Sequence, residues 1–154
     1  MIPGLRGPGG KIYIFDHHHY ALALLRAGIS RGYVDVIVDW SHLSLKAFWE
    51  KMESVGWAHP YDKNGIYQGV KAFTEIRSLE DMENDEYRSL AGFVRDAGGF
   101  DKVEVPYSEF LWADFFRSQF SKKDLRNHFD EVTEKAVKLA RSSEAQHLPG
   151  WRGK

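Results

Sequence analysis

The run Asp16-His17-His18-His19-Tyr20 concentrates more potential chemistry than any other stretch of this sequence. Imidazole donates and accepts hydrogen bonds, moves protons near neutral pH and ligates metals. The run follows a strand-like segment and opens a helical pattern. A helix start presents unpaired N–H groups and a partial positive charge, and both attract anions. Successive helical residues point about 100° apart, so His17, His18 and His19 do not all face one ligand. One or two of them face the site, and the third packs or caps. Asp16 is placed either to cap the helix or to orient a histidine by accepting its second ring N–H. A polar helix start with incidental histidines is the plainer alternative. Three adjacent histidines have little structural use there, which favours a functional role.

A second constellation comprises Arg88, Arg95, Lys102, Glu109, Asp114 and Arg117. Arg88 and Arg95 stand about two helical turns apart and share a face. With Lys102 beyond the Gly98-Gly99 turn they form a candidate anion-binding edge. Glu109 begins a predicted helix, where its charge suits the dipole. It is also a candidate general base or ligand for a divalent cation. A network that ties the helices together is the stronger reading of these charges. Ser89 has no His or Asp partner at a motif spacing, which argues against a serine nucleophile. Asp35 and Asp39 fall on one face of a predicted strand. Asp35 reads as solvated, whereas Asp39, beside Ser41 and His42, is the candidate metal ligand. Phe110, Trp112, Phe115 and Phe116 read as core and wall.

These residues need elements to hold them. Residues 1–10 are rich in Gly and Pro and read as an extended loop. Residues 11–15 read as a short strand, and the helix after Asp16 runs to about Ala27, stopping at Gly28. Residues 33–40 alternate as a second strand, with Val34, Val36 and Val38 pointing one way. Residues 41–56 read as loop then helix, with Phe48, Met52 and Val55 as its buried stripe. Asp85 caps a helix over 87–97 that buries Leu90, Ala91 and Val94. Residues 100–105 are a candidate strand, and a helix spans 109–120. Ser121 and Asp124 open a last helix through Leu125, Phe129, Val132, Ala136 and Ala140. A little sheet followed mostly by helices predicts an α/β fold, with α+β as the alternative. The organisation expected is one domain over 1–141 and a tail, 142–154, docked through Trp151.

Composition narrows the function classes. The 154 residues are 43% apolar and 14% aromatic, enough for a real core. A net charge of −1 argues against a tight non-specific DNA binder, though not against a nucleotide ligand. With no cysteine, thiolate catalysis and Cys-type zinc sites are excluded. No apolar run is long enough to span a bilayer, and a cytoplasmic location is the expectation.

Several segments together resemble one family. They are Lys11 to Leu24 around the histidine run, Gly7-Pro8-Gly9-Gly10, Asp39-x-Ser41, Phe48-Trp49-x-x-Met52 and Tyr87-Arg88-Ser89-Leu90-Ala91-Gly92. Gly98-Gly99-Phe100-x-Lys102, Glu109-Phe110-x-Trp112-Ala113-Asp114-Phe115 and Leu148-Pro149-Gly150 complete the set. The chain resembles the ParB-like nuclease family, within the ParB/sulfiredoxin-like superfamily. That resemblance implies a small sheet with packed helices and a mainly helical C-terminal part. It implies that Asp16, His17, His18 and His19 hold a phosphate group, with Arg88 or Lys102 as the expected phosphate-binding cations that neutralise its charge. Tyr20 stands where the superfamily often has Arg, so no guanidinium grips phosphate there. The superfamily's usual segment ahead of the Gly/Pro-rich loop is expected to lie outside this sequence, and a homodimer is among the partners expected, with a nucleotide or nucleic acid. Relatives that bind nucleoside triphosphates imply ATP or CTP as ligand. The enzymatic expectation is a nuclease or phosphohydrolase in which His18, His19 and Glu109 act catalytically. Mg or another divalent metal would sit on Asp39 and Glu109. The alternatives are a non-catalytic nucleotide-binding module, a kinase-like phosphoryl transferase, and a bare histidine metal site.

Overall fold

The computed structural model describes residues 1–153 and divides into two compact units. The first holds residues 1–62 and 66–83, and the second holds 63–65 and the chain from Asn84 onward.

The first unit is built on a three-stranded mixed sheet. Strands β1 (Ile2–Arg6), β2 (Ile12–Ile14) and β3 (Val34–Asp39) lie in the order β2-β1-β3. The central strand β1 runs antiparallel to β2 and parallel to β3. This corrects the reading of residues 1–10 as a loop. Ile2 and Leu5 are buried, and a Cβ on Gly4 would meet Val34 Cγ1 at 2.5 Å and the Tyr13 carbonyl oxygen at 2.8 Å. Gly4 therefore serves close packing of strands rather than a turn. The turn falls at Pro8–Gly10, where the Gly7 N–H donates to the Lys11 carbonyl at 2.8 Å.

A bulge changes the faces of β3. Gly4 pairs with Val36 but Arg6 pairs with Asp39, so one extra residue enters β3. Strict alternation fails across that point. Val38 packs on the core while Val36 is exposed, and Asp39 leaves the face of Asp35. The core of this unit is Leu5, Phe48, Met52 and Ala58, walled by aromatic rings. Phe48 and Met52 come from α2 (Leu45–Ser54), which Ser44 caps by accepting the Ala47 N–H at 3.3 Å. Val55, expected in the buried stripe, lies just past the helix end and is exposed. Two further helices, α1 (His18–Arg26) and α3 (Lys71–Thr74), belong to this unit.

The second unit is helical: α4 (Glu86–Asp96), α5 (Ser108–Gln119), α6 (Lys122–Asn127) and α7 (Phe129–Ala140). Asp85 caps α4 by accepting the Tyr87 N–H at 3.0 Å, and Leu90, Ala91 and Val94 are buried as their spacing predicts. The single helix expected after Ser121 is two. His128 leaves helical dihedrals (φ −140°, ψ 42°); its N–H closes α6 on Asp124 and its carbonyl starts α7 by accepting from Val132. Trp112, Phe116, Val132, Ala136 and Ala140 fill the core. Residues 100–105 form no strand. Phe100 makes one bridge, to Trp151, and the Asp101 N–H donates to the Gly150 carbonyl at 2.7 Å. The C-terminal segment has taken the backbone partners that a neighbouring strand would need.

Gly150 makes that docking possible. Its φ is +76°, and a Cβ there would lie 2.2 Å from the Asp101 carbonyl oxygen. Gly150→Ala is therefore expected to cost about 2 kcal/mol and to loosen the C-terminal segment. Thermal melts would read the loss, and the indole emission of the chain should shift to the red. A melting temperature equal to wild type would contradict this account of the segment.

Candidate functional site

The histidine turn joins β2 to α1 in the first unit. After Phe15 the chain reverses through Asp16 and His17. His17 has φ 60° and ψ 27°, a left-handed conformation that costs a non-glycine residue about 1 kcal/mol. The Asp16 carboxylate accepts the His17 backbone N–H at 2.6 Å. Asp16 is thus not the helix cap that its position predicts. His17 occupies the cap position, and no side chain caps α1. The reason is geometric: the left-handed turn at His17 carries the Asp16 carboxylate back onto its neighbour. The first-turn amides of α1 thereby keep the anion-attracting character of a bare helix start.

The three imidazoles part as helical geometry requires. His18 is half-buried, while His17 and His19 are exposed. Burial pulls the His18 ring below its ordinary range near 6.5, and the charge of His19 adds to that. A hydrogen bond to the Ile14 backbone and the charge of Asp16 oppose it. The Ile14 bond favours the protonated ring, so it is a ring N–H donating to the carbonyl. One ring nitrogen is oriented by the backbone and the other is left to accept.

Asp39 lies at the end of β3. One of its oxygens accepts the Ser41 N–H at 2.9 Å, and Arg6 Nε sits 3.4 Å from the other. The Ser41 hydroxyl, then its N–H, hold this carboxyl below its usual range. Arg6 had no motif around it, and only the β1–β3 register shows that it faces Asp39.

In the second unit, Glu109 lies on the first turn of α5, with its side chain 16% exposed. Arg88 and Arg95, both on α4, pair with its two different oxygens. Burial lowers Arg88 from its usual range, the neighbouring Arg95 charge adds to this, and Asp85 opposes it. Arg88 also lies over the Phe110 ring at 5.5 Å. Lys102 is exposed and takes no part in this network. Arg117 makes a second link: it pairs with Asp85 at 2.8 Å and Asp114 at 3.3 Å, and donates to the Lys63 carbonyl at 3.2 Å. Tyr107, immediately before α5, also has a positive φ of 58°. No property of a single residue type signals such a turn in sequence.

The Arg–Glu–Arg cluster accounts for the Glu109 carboxylate fully. A divalent cation approaching it would meet two guanidinium groups, so these residues do not fit a metal ligand set. Among the described residues, no group of three or more His, Asp or Glu side chains is arranged to hold a metal ion. Removing Glu109 would leave two arginines facing each other. Glu109→Ala is expected to cost about 2 kcal/mol, less than a fully buried pair because both arginines reach solvent. Urea unfolding would read it; a loss under about 0.5 kcal/mol would show that the cluster does not brace α4 against α5.

Comparison with known proteins places these features. The family described as "Putative ParB-like nuclease" matches residues 1–118. The chain belongs to this family. The match includes the histidine turn and the Arg88–Glu109–Arg95 cluster of this ParB-like chain, and ends within α5. Among solved structures, the chain is similar to protein Atu1540 from Agrobacterium tumefaciens. The two share 40% identity over 99% of this chain and 77% of that one, with a TM-score of 0.92. No curated protein matches. No helix among the described residues is long and apolar enough to cross a membrane.

Proposed function

We propose that the histidine turn binds a phosphate group of a nucleotide or nucleic acid, and that the protein hydrolyses phosphodiesters there. The observation that carries this reading is the uncapped start of α1, set between exposed His17 and His19 and the backbone-oriented ring of His18. The helix amides and exposed imidazoles would hold the phosphate oxygens. His18, neutral at physiological pH, would take a proton from water as it attacks phosphorus; the P–O bond to the leaving ester oxygen breaks, and that oxygen leaves as an alcohol on taking a proton from solvent. His19 and His17 would donate ring N–H hydrogen bonds to the phosphate oxygens as charge develops on them. Asp16 acts by holding the turn. Arg88 and Lys102 belong to the other unit, and their expected role in phosphate binding rests on charge alone.

A second reading is a nucleotide-binding module without turnover. The pairing of Glu109 with both arginines favours it, since that carboxylate is then a brace rather than a base. ATP and CTP, each with and without Mg, are the ligands to try, because their phosphates are what the turn would hold. Calorimetric titration of wild type, His18→Ala and His19→Ala decides between the readings. Binding that weakens about tenfold or more in the variants, accompanied by cleavage of an oligonucleotide or nucleotide by wild type, supports the hydrolase. Binding without cleavage leaves the module. If folded wild type binds none of these ligands, the phosphate reading of the turn is wrong.

A further inference from the structure

We propose that Asn64-Gly65 is a self-modifying site, at which the Asn64 side chain closes onto the Gly65 backbone nitrogen and opens again to aspartate and isoaspartate, with the Lys122 ammonium promoting the closure. Asn64 is exposed in a turn, and Gly65 follows it with φ +75°. Attacking nitrogen and target carbon belong to adjacent residues and close a five-membered ring, so the step needs no second molecule to be brought into place. A side chain on the following residue would shield that nitrogen, and glycine has none. The fold itself demands glycine here. A Cβ on Gly65 would lie 2.7 Å from Asp114 Oδ1 and 3.0 Å from Arg117 Nε, in a backbone conformation that other residues rarely adopt.

Lys122 supplies the second observation. Its Nζ donates to Asn64 Oδ1 at 2.6 Å from the first position of α6. No carboxylate among the described residues pairs with this half-buried ammonium. The positive charge therefore falls on the amide carbonyl. It makes Cγ more electrophilic and stabilises the oxyanion that forms when nitrogen attacks. Arg117 Nη1 also donates to the Lys63 carbonyl at 3.2 Å, so the residue before Asn64 is seated against α5.

The atoms balance without an oxidant or reductant. The Gly65 nitrogen gives its proton to solvent hydroxide and attacks Asn64 Cγ. The Cγ–Nδ2 bond breaks, and ammonia leaves after taking a proton from water. Water then opens the cyclic imide. Breaking the bond from Gly65 nitrogen to Cγ gives aspartate, and breaking the bond to the backbone carbonyl carbon gives isoaspartate. One water is consumed and one ammonia released. Either product sets a carboxylate beside Lys122. Isoaspartate also lengthens the backbone by one carbon between Lys63 and Gly65, which disturbs the seat on Arg117.

The test incubates the folded full chain at pH 8 and 37 °C and follows each asparagine by peptide mass spectrometry. Methyl transfer from S-adenosylmethionine by an isoaspartyl carboxyl methyltransferase reads the isoaspartate. Asn64 is expected to convert at least about tenfold faster than Asn84 and Asn127, which precede residues with side chains. Folded wild type should convert about threefold faster than the urea-unfolded chain, because only the fold brings Lys122 to the amide. Lys122→Gln should remove that advantage, and Lys122→Arg should restore part of it. Asn64→Gln should abolish the methyl acceptance, since its ring would need a sixth member. A folded chain that converts Asn64 no faster than Asn84 overturns the proposal. A folded chain slower at Asn64 than the unfolded one, or a folded Lys122→Gln variant as fast as wild type, overturns the part assigned to Lys122.

Discussion

His18→Ala is expected to lower phosphodiester cleavage about 100-fold, the lower end of what a positioned proton acceptor contributes. The argument rests on one ring. The Ile14 carbonyl orients it, and burial makes its neutral form the stable one at neutral pH. His18→Gln keeps polar atoms at the site but cannot take up a proton, so it should be nearly as slow while binding ligand better than the alanine variant. The pH dependence follows from the same shift. Cleavage should stay level from pH 8 down to about 6.5 and fall only in more acid solution, as the ring finally charges. Stability has a matching sign. The unfolded chain takes the proton near its ordinary value of 6.5, more readily than the folded one. Stability therefore falls as pH drops below 6.5, until the lowered folded value is passed. His18→Gln should remove that part of the slope in urea titrations at pH 7 and pH 5. Wild-type activity in His18→Ala, with the fold intact, would show that the ring moves no proton in the reaction.

Trp112→Ala is expected to cost about 4 kcal/mol, the largest single effect on folding. The indole is fully buried, stacks on Phe100 at 4.1 Å and contacts Phe116 at 5.8 Å. Its N–H donates to the Pro149 carbonyl at 2.8 Å, so truncation opens a cavity and strands an acceptor together. Trp112→Phe keeps much of the ring volume and loses the hydrogen bond, and about half the cost is expected. Urea midpoints with constant m values give both numbers. A loss under about 1.5 kcal/mol for the alanine variant would mean that the core closes around the gap, contrary to a close-packed interior.

The helices were the most legible part of the chain. Asp85, Ser121 and the apolar spacing of Leu90, Ala91, Val94, Val132, Ala136 and Ala140 are local signals, and caps and buried faces appear where those signals lie. Strand β1 was not legible. Ile2-Pro3-Gly4-Leu5-Arg6 carries Pro and Gly, which ordinarily mark loops. Only its two neighbours explain why a residue without a side chain stands at its centre. The bulge against β3 was hidden for a related reason, since register is a property of two strands and not of one.

The histidine turn divides the same way. The residues themselves establish a polar, proton-active helix start after a strand, because residue type and 3.6-residue periodicity are written along the chain. They also carry the likeness to the ParB-like nuclease family, which the match over residues 1–118 shows. Tertiary structure decided the roles of the individual groups. It turned His17 left-handed, set Asp16 on the His17 amide, and gave the His18 ring to Ile14. It also spent Glu109 on two arginines and set Arg141 on the Gly98 carbonyl at the end of α4. Which groups become partners depends on distances between residues remote in sequence, and on the water that packing removes. Neither quantity exists until the chain has folded.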